Sequence, residues 1–334
     1  GLVLLMVILG GVTRLTQSGL SMVEWQPLSI LPPLSEAQWQ DTFAHYQQFP
    51  EFRLKNAHMT LEGFKSIFWL EYIHRLVGRV VGAVFLVPFL WFVATRRIDR
   101  RLGGKLAGLF LLGAMQGVMG WFMVKSGLIE RPDVSPYRLT AHLGLALLIY
   151  GLMLWTALGI LWERQTVARA VRSFARAAKG VLALLVVTIL SGGFVAGLDA
   201  GMTYNTFPLM DGQWIPEGLM VMDPWYMNPF ENIATVQFQH RWLAMTTMAA
   251  VWMVWGWSRF LPAVGSVRTL MTLFAVMAGV QGGLGIATLV LVVPVPLAAT
   301  HQAGAFILLT LGLVTIHQLH ISHDSRHAKG MPSA

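Results

Sequence analysis

Apolar residues along this chain gather into long runs separated by shorter polar links. A helix that crosses a bilayer core needs about 20 mostly apolar residues. Eight runs fit, at roughly 1–12, 67–95, 105–124, 138–161, 180–198, 234–258, 268–291 and 296–317, and each predicts a transmembrane helix. The first is short because the chain opens at Gly1 inside it. Residues are therefore expected upstream of Gly1, and a signal peptide is not judged.

Composition agrees with this pattern. Of 334 residues, 55% are apolar and 12% charged, whereas soluble domains carry about 25% charged residues. Mean hydropathy is +0.59. The same balance excludes disorder. No cysteine occurs, which removes disulfides, thiol nucleophiles, zinc ribbons and iron–sulfur clusters.

A net charge of +8 and a pI near 10.1 suggest nucleic acid only until the charges are located. Arg96, Arg97, Arg100, Arg101 and Lys105 fill the link between spans two and three. Arg164, Arg169, Arg172, Arg176 and Lys179 fill the link between four and five. Arg259 and Arg268 flank the link between six and seven, and Arg326 and Lys329 lie in the tail. Segment 199–233 has no Lys or Arg but carries Asp199, Asp211, Glu217, Asp223 and Glu231. Lys125 and Arg131 run against the trend and are outnumbered. The positive-inside rule places the basic links in the cytoplasm, with segments 13–66 and 199–233 on the external side. The basic pI is topology, and no nucleic-acid partner is expected.

The chain also repeats itself. Gly10-Gly-Val-Thr-Arg-Leu-Thr-Gln-Ser-Gly19 resembles Gly192-Gly-Phe-Val-Ala-Gly-Leu-Asp-Ala-Gly201, and Glu71-Tyr-Ile-His-Arg75 resembles Gln237-Phe-Gln-His-Arg241. Met115-Gln-Gly-Val-Met-Gly120 resembles Val280-Gln-Gly-Gly-Leu-Gly285, and His142 matches His301. The echoes keep their order at offsets of 182, 166, 165 and 159 residues, as a longer first external loop would produce. Each repeat holds four spans, an even number, so both halves enter the membrane in the same sense. The predicted fold is an all-α membrane protein with eight transmembrane helices. They form two tandem four-helix bundles, residues 1–165 and 166–334, related by a pseudo-two-fold axis along the membrane normal.

Four of the ten histidines stand at matched places. His74, His142, His240 and His301 are expected in the first turns of spans two, four, six and eight, all at the external side. Two histidines on facing helices of a bundle supply two axial nitrogens to one heme iron. Zinc needs three or four ligands at tetrahedral angles, and carboxylate or thiolate partners are too few. A single imidazole at a helix end is ordinarily a cap or an interfacial hydrogen bonder; four at matched positions favour heme. A relay of hemes across the bilayer needs a second histidine about 13 residues further along the same helices. None is there, so both hemes are expected near the external face.

Arg75 follows His74 and Arg241 follows His240. A guanidinium suits a heme propionate, and an Arg near a helix end also snorkels to the interface. Both readings stand for Arg79, whose counterpart is Met245. The tail His317, His320, His323 and His327 is read as a solvated juxtamembrane segment. Glu71 shares a helix face with His74, whereas the matching residue in the second half is Gln237. A carboxylate there complements the helix dipole or, beside a heme edge, acts as a base or stabilises a developing cation. Trp and Met are plentiful without being specific, Pro27, Pro32, Pro33, Pro208, Pro216, Pro224 and Pro229 predict structured external turns, and Gly10, Gly11, Gly192 and Gly193 permit close helix approach.

With these motifs the chain resembles the heme A synthases over nearly its whole length. Glu71-Tyr-Ile-His74-Arg75 is similar to the acid-containing histidine motif of that family, Gln237-Phe-Gln-His240-Arg241 to its second-half version, and Gly10–Ser21 to the segment after the first span. The resemblance implies that farnesylated heme O binds between His74 and His142, where its C8 methyl is oxidised to the formyl of heme A. It further implies a resident heme B between His240 and His301 and an essential role for Glu71. It also implies maturation of terminal oxidases, supply by a heme O farnesyltransferase and an unidentified electron acceptor. Membrane lipid surrounds such a protein, in the bacterial or mitochondrial inner membrane, and a homo-oligomer is compatible with it. Many members carry a cysteine pair in the first external loop; residues 13–66 have none, which places the resemblance with the cysteine-free branch.

Two other classes remain open at this stage. A di-heme b-type cytochrome that only carries electrons has the same ligands, and a heme transporter or chaperone predicts exchangeable binding in both halves. The difference between Glu71 and Gln237 favours the enzyme over either.

Overall fold

The computed structural model describes residues 1–24, 31–127, 134–162, 171–261 and 265–319. Within them a helix stands at each of the eight apolar runs: α1 (Leu2–Leu15), α4 (Leu61–Ala94), α5 (Arg100–Gly127), α6 (Pro136–Leu161), α7 (Arg172–Gly197), α9 (Ile233–Ser258), α10 (Gly265–Val290) and α11 (Val295–Gln318). Six of these are long and apolar enough to cross a membrane, the set without α1 and α9, and the chain is an integral membrane protein. α1 is apolar but short, and Gln237, Gln239, His240 and Arg241 lie together in α9.

The helices outlast their apolar runs at the basic ends. α5 starts at Arg100 and α7 at Arg172, earlier than hydropathy predicts, because Arg and Lys are good helix formers whose stems lie along apolar surface while the heads stay wet. α4 also starts early, at Leu61, where the Thr60 side chain accepts from the Gly63 amide at 3.3 Å. His74 therefore lies beyond the third turn of its helix. His142 and His301 keep to the first two turns of α6 and α11, and His240 opens the third turn of α9.

That early start of α4 supports a small folded layer in the segment between α1 and α4. α2 (Glu36–Tyr46) begins with a capping box in which Gln38 N–H donates to Ser35 Oγ at 3.3 Å and Ser35 N–H to Gln38 Oε1 at 3.2 Å. α3 (Pro50–Leu54) follows with proline at its first turn. Trp39 and Tyr46 of α2 pack with Phe64, Phe68 and Tyr72 of α4. Trp39 meets Phe68 edge-on at 5.0 Å, and Tyr46 stacks on Phe64 at 5.1 Å. Beneath them Tyr46 Oη donates to the buried Glu51 carboxylate at 3.0 Å and accepts from Asn56 Nδ2 at 2.8 Å.

The chain divides into two compact units by its internal contacts: Gly1–Tyr150 with Leu190–His240 and Leu284–Ala303, and Gly151–Ile189 with Arg241–Gly283 and Gly304–Ala334. In the first, the repeat seen in sequence recurs as geometry. Gln17 and Asp199, at the ends of α1 and α7 and 182 residues apart, have φ of 52° and 50°. Each is followed by the same turn, Ser21 N–H to Ser18 O and Thr203 N–H to Ala200 O, both 3.3 Å. Helix contacts are reciprocal as well. A side chain at Gly11 of α1 would meet Gln302 of α11, and one at Gly193 of α7 would meet Thr140 and Leu143 of α6. Gly11 and Gly193 correspond in the repeat, as do Gln302 and Leu143. Gln302 Nε2 also donates to Val7 O at 3.0 Å, so α1 meets α11 as α7 meets α6.

The segment between α7 and α9 is tied by side-chain amides. Asn228, in the short α8 (Asn228–Glu231), is fully buried; its Oδ1 accepts from Met222 N–H and Asn232 Nδ2, both at 3.0 Å, and its Nδ2 donates to Met222 O at 3.1 Å and Trp225 O at 2.8 Å. In the second unit, Thr188 and Thr247 share a buried hydrogen bond of 2.7 Å between α7 and α9. His317 corrects the sequence expectation. It is fully buried in α11, edge-on to Trp155 at 5.2 Å, and belongs to the packing rather than to a solvated tail. His320, His323 and His327 lie outside the described residues.

Candidate functional site

All four matched histidines fall in the first compact unit, and all are half-buried. Each faces a glycine on the helix that precedes its own among the eight helices of the apolar runs. A Cβ at Gly10 of α1 would lie 3.3 Å from His74 Nε2, and one at Gly120 of α5 would lie 3.5 Å from His142 Cε1. In the second half, a Cβ at Gly192 of α7 would lie 3.2 Å from His240 Cε1, and one at Gly285 of α10 would lie 2.9 Å from His301 Cε1. The four glycines keep the repeat offsets of 182 and 165. Bare backbone lets each imidazole ring lie against the neighbouring helix, which fixes its place.

His74 of α4 and His142 of α6 belong to the same compact unit. Gln116 of α5 braces the second of them, donating from Nε2 to His142 O at 3.1 Å. Among the described residues, His142 Nδ1 is buried without a hydrogen-bond partner. Among the described residues no three His, Asp or Glu gather around one point. Two imidazoles per half, flanked by glycine and apolar helix, match the two-histidine donor set of a heme and lack the ligand number for zinc. The donor set and the orphaned Nδ1 therefore fit a heme.

The acid expected beside His74 is fixed in place. Glu71 is 2% exposed. Its Oε2 accepts from Ser21 Oγ at 2.7 Å and from Met22 N–H at 2.8 Å, and its Oε1 pairs with Arg75 Nη2. Arg75 also donates to Met22 O at 2.9 Å and Glu24 O at 3.2 Å. Instead of snorkelling, this guanidinium joins Glu71 to the segment that follows α1. Both carboxylate oxygens are engaged, so Glu71 contributes a fixed negative charge without rearrangement, and proton transfer requires one of these contacts to open.

The second half carries the same frame without the charge. Gln237 is also 2% exposed, and its Nε2 donates to Thr203 O at 2.6 Å. Thr203 matches Ser21 at the offset of 182. Gln237 Oε1 is buried with no partner. Arg241 is buried directly after His240, and Arg79 is half-buried one turn beyond Arg75.

One contact escapes the sequence. Ser191 Oγ lies 2.7 Å from His240 Nδ1. It stands one residue before the matched Gly192, at a position where the first half has Leu9, so the repeated motif does not include it. A hydroxyl one residue outside the echo was its only signal.

The model of the COX15-CtaA family, described as cytochrome oxidase assembly protein, matches residues 1–313. The chain is similar to the heme A synthase of Nitrosospira multiformis, 53% identical over 321 residues, which covers 95% of this chain and 90% of that one. It is 52% identical to the heme A synthase of Paramagnetospirillum magneticum, over 95% of this chain and 90% of the relative. It is 46% identical to heme A synthase COX15 of Bos taurus, over 94% and 78% of the two chains. No solved structure matches it.

Proposed function

The chain belongs to the COX15-CtaA family of cytochrome oxidase assembly proteins, and from that membership we propose that it oxidises the C8 methyl group of heme O to the formyl group of heme A. The observation that carries this reading is one frame built twice with a single difference in charge. His74 and His142 on one side, and His240 and His301 on the other, each face a glycine, while Glu71 stands where the second half has Gln237.

In this reading residues 1–165 hold heme O between His74 and His142, and residues 166–334 hold heme B between His240 and His301. When bound, the heme irons supply the oxidation–reduction chemistry. The protein's own residues do the rest. The four imidazoles hold and orient the rings, and Glu71, kept in place by Ser21, Met22 and Arg75, sets a negative charge beside the substrate ring. Arg79 and Arg241 are assigned to propionates, and Arg75 acts through Glu71. The eight helices form two four-helix bundles about a pseudo-two-fold axis along the membrane normal. The reciprocal contacts of α1 with α11 and of α6 with α7 support that arrangement. Basic links on the opposite side support heme sites at the external face. A farnesylated substrate is delivered through lipid by a heme O farnesyltransferase, and electrons leave to a separate acceptor.

The test is chromatography of hemes extracted from cells that make heme O but no heme A. Introduction of this chain is expected to yield the formyl derivative. Bound heme B with heme O left unchanged would instead make it a di-heme electron carrier.

A further inference from the structure

The second half has a contact to its proposed ligand that the first half lacks. Ser191 is 8% exposed in α7, and its Oγ lies 2.7 Å from His240 Nδ1. The next residue, Gly192, admits the same ring, since a Cβ there would lie 3.2 Å from His240 Cε1. Two consecutive residues therefore fix the imidazole, one by contact and one by leaving space. The matching pair in the first half is Leu9 and Gly10. Gly10 again lies against the ring, with a Cβ 3.3 Å from His74 Nε2, but leucine has no oxygen to offer.

We propose that Ser191 is a positioning residue for His240, and that it makes the second half the site of a permanently held heme while Leu9 leaves the first half free to exchange its heme. The proposal rests on the assignment of heme to His240 above. With Nδ1 facing the hydroxyl, Nε2 is the nitrogen left for iron, and an imidazole that gives Nε2 to iron carries its proton on Nδ1 and would donate it to Ser191 Oγ. An imidazole that donates through Nδ1 is fixed in tautomer and orientation and becomes a more basic ligand, and loss of such an outer contact typically costs about 10- to 100-fold in metal affinity. A more basic axial ligand also favours ferric over ferrous iron, which lowers the reduction potential. A resident cofactor needs slow release, whereas a substrate that enters as one compound and leaves as another needs the opposite. The difference between Ser191 and Leu9 falls on that side of the requirement in both halves.

The experiment uses the full chain purified with its hemes. Transfer of heme B to excess apomyoglobin gives the release rate, and a spectroelectrochemical titration gives the midpoint potential. Ser191→Ala is expected to release heme B about 10- to 100-fold faster and to titrate at a higher potential, with Ser191→Thr close to the parent in both. Isolation of Ser191→Ala without heme B, while Ser191→Thr keeps it, is the same loss at its extreme and also supports the proposal. Parent-like release and potential in Ser191→Ala would overturn it. So would equal damage from alanine and threonine, because the position would then act by shape alone. His240→Ala separates the two levels: full heme B content in that variant would refute the heme assignment itself, whatever Ser191 does.

Discussion

The Ser21 hydroxyl donates to Glu71 Oε2 at 2.7 Å, and across the repeat Gln237 Nε2 donates to the carbonyl of Thr203 at 2.6 Å. The same two positions touch in both halves, with the direction of donation reversed. A carboxylate receives hydrogen bonds in one, and an amide gives one in the other. The frame around each histidine is thus kept while the charge beside it changes.

Glu71→Gln should therefore separate binding from chemistry. The amide oxygen can still accept from Ser21 or Met22, and the second half already places a glutamine there, so bound heme should remain near parental content. Heme A formation should fall about 10²- to 10⁴-fold, the usual cost of removing such a group. Extracted heme from the variant checks both. Near-normal heme A would reduce Glu71 to an anchor for the segment after α1.

Gly285→Ala should displace a ligand without touching it chemically. Its Cβ would lie 2.9 Å from His301 Cε1, and overpacking of this kind costs about 1–3 kcal/mol. Heme B content, read by the pyridine hemochrome, should drop. Gly283→Ala, two residues away with nothing within 4 Å, is the control and should keep its heme, with a helix stabilised by up to about 1 kcal/mol. Equal heme in the two variants would dismiss the glycine as a constraint on the ring.

The segment between α1 and α4 should loosen in alkali. Burial pushes the Tyr46 hydroxyl above its ordinary value of 10.0; the Asn56 contact opposes this and the Glu51 charge adds to it. The folded state keeps the proton that the unfolded segment loses, so this contribution is complete below about pH 10 and falls as pH rises towards the elevated folded value. Phenolate absorbance and near-ultraviolet circular dichroism should change together above about pH 10. Tyr46→Phe should remove that transition and weaken the segment at neutral pH by about 1–3 kcal/mol, because Glu51 and Asn56 lose their shared partner.

Topology can be mapped cleanly because the chain has no cysteine of its own. A single cysteine at Trp214, which is 61% exposed, should react with an impermeant maleimide added outside intact cells. One at Arg97, in the basic link after α4, should react only after permeabilisation. The reverse result would turn the histidine ends of the helices to the cytoplasm.

Hydropathy located a helix at each of the eight runs because a bilayer requires long unbroken apolar stretches, and that requirement is written locally. It missed where α4 begins. Residues 61–66 include Glu62 and Lys65, and the cap at Thr60 and the contacts with Trp39 and Tyr46 extend the helix, neither of which alters hydropathy. The capping box at Ser35 and Gln38 is legible as a Ser-x-x-Gln pattern. The histidines are visible because the chain repeats. Gly120 and Gly285 lie inside the repeated motifs, but a glycine in sequence does not say which side chain it faces. Arg75 illustrates the same gap: the residue was identified, while its partners, Glu71 and the carbonyls of Met22 and Glu24, come from a segment about 50 residues away in the chain and depend on tertiary structure.

The hydrogen bond from Gln302 to Val7 spans 295 residues of sequence, which has a consequence for biogenesis. The contact between α6 and α7 joins neighbours in the chain and can form as soon as both emerge from the ribosome. Its counterpart between α1 and α11 must wait until almost the whole chain has been synthesised, and pairings so distant along the chain form slowly. During that interval the face of α1 around Gly11 has lipid or the insertion machinery for a neighbour. The two matching contacts are thus reached by unlike routes, with one closed early and the other last.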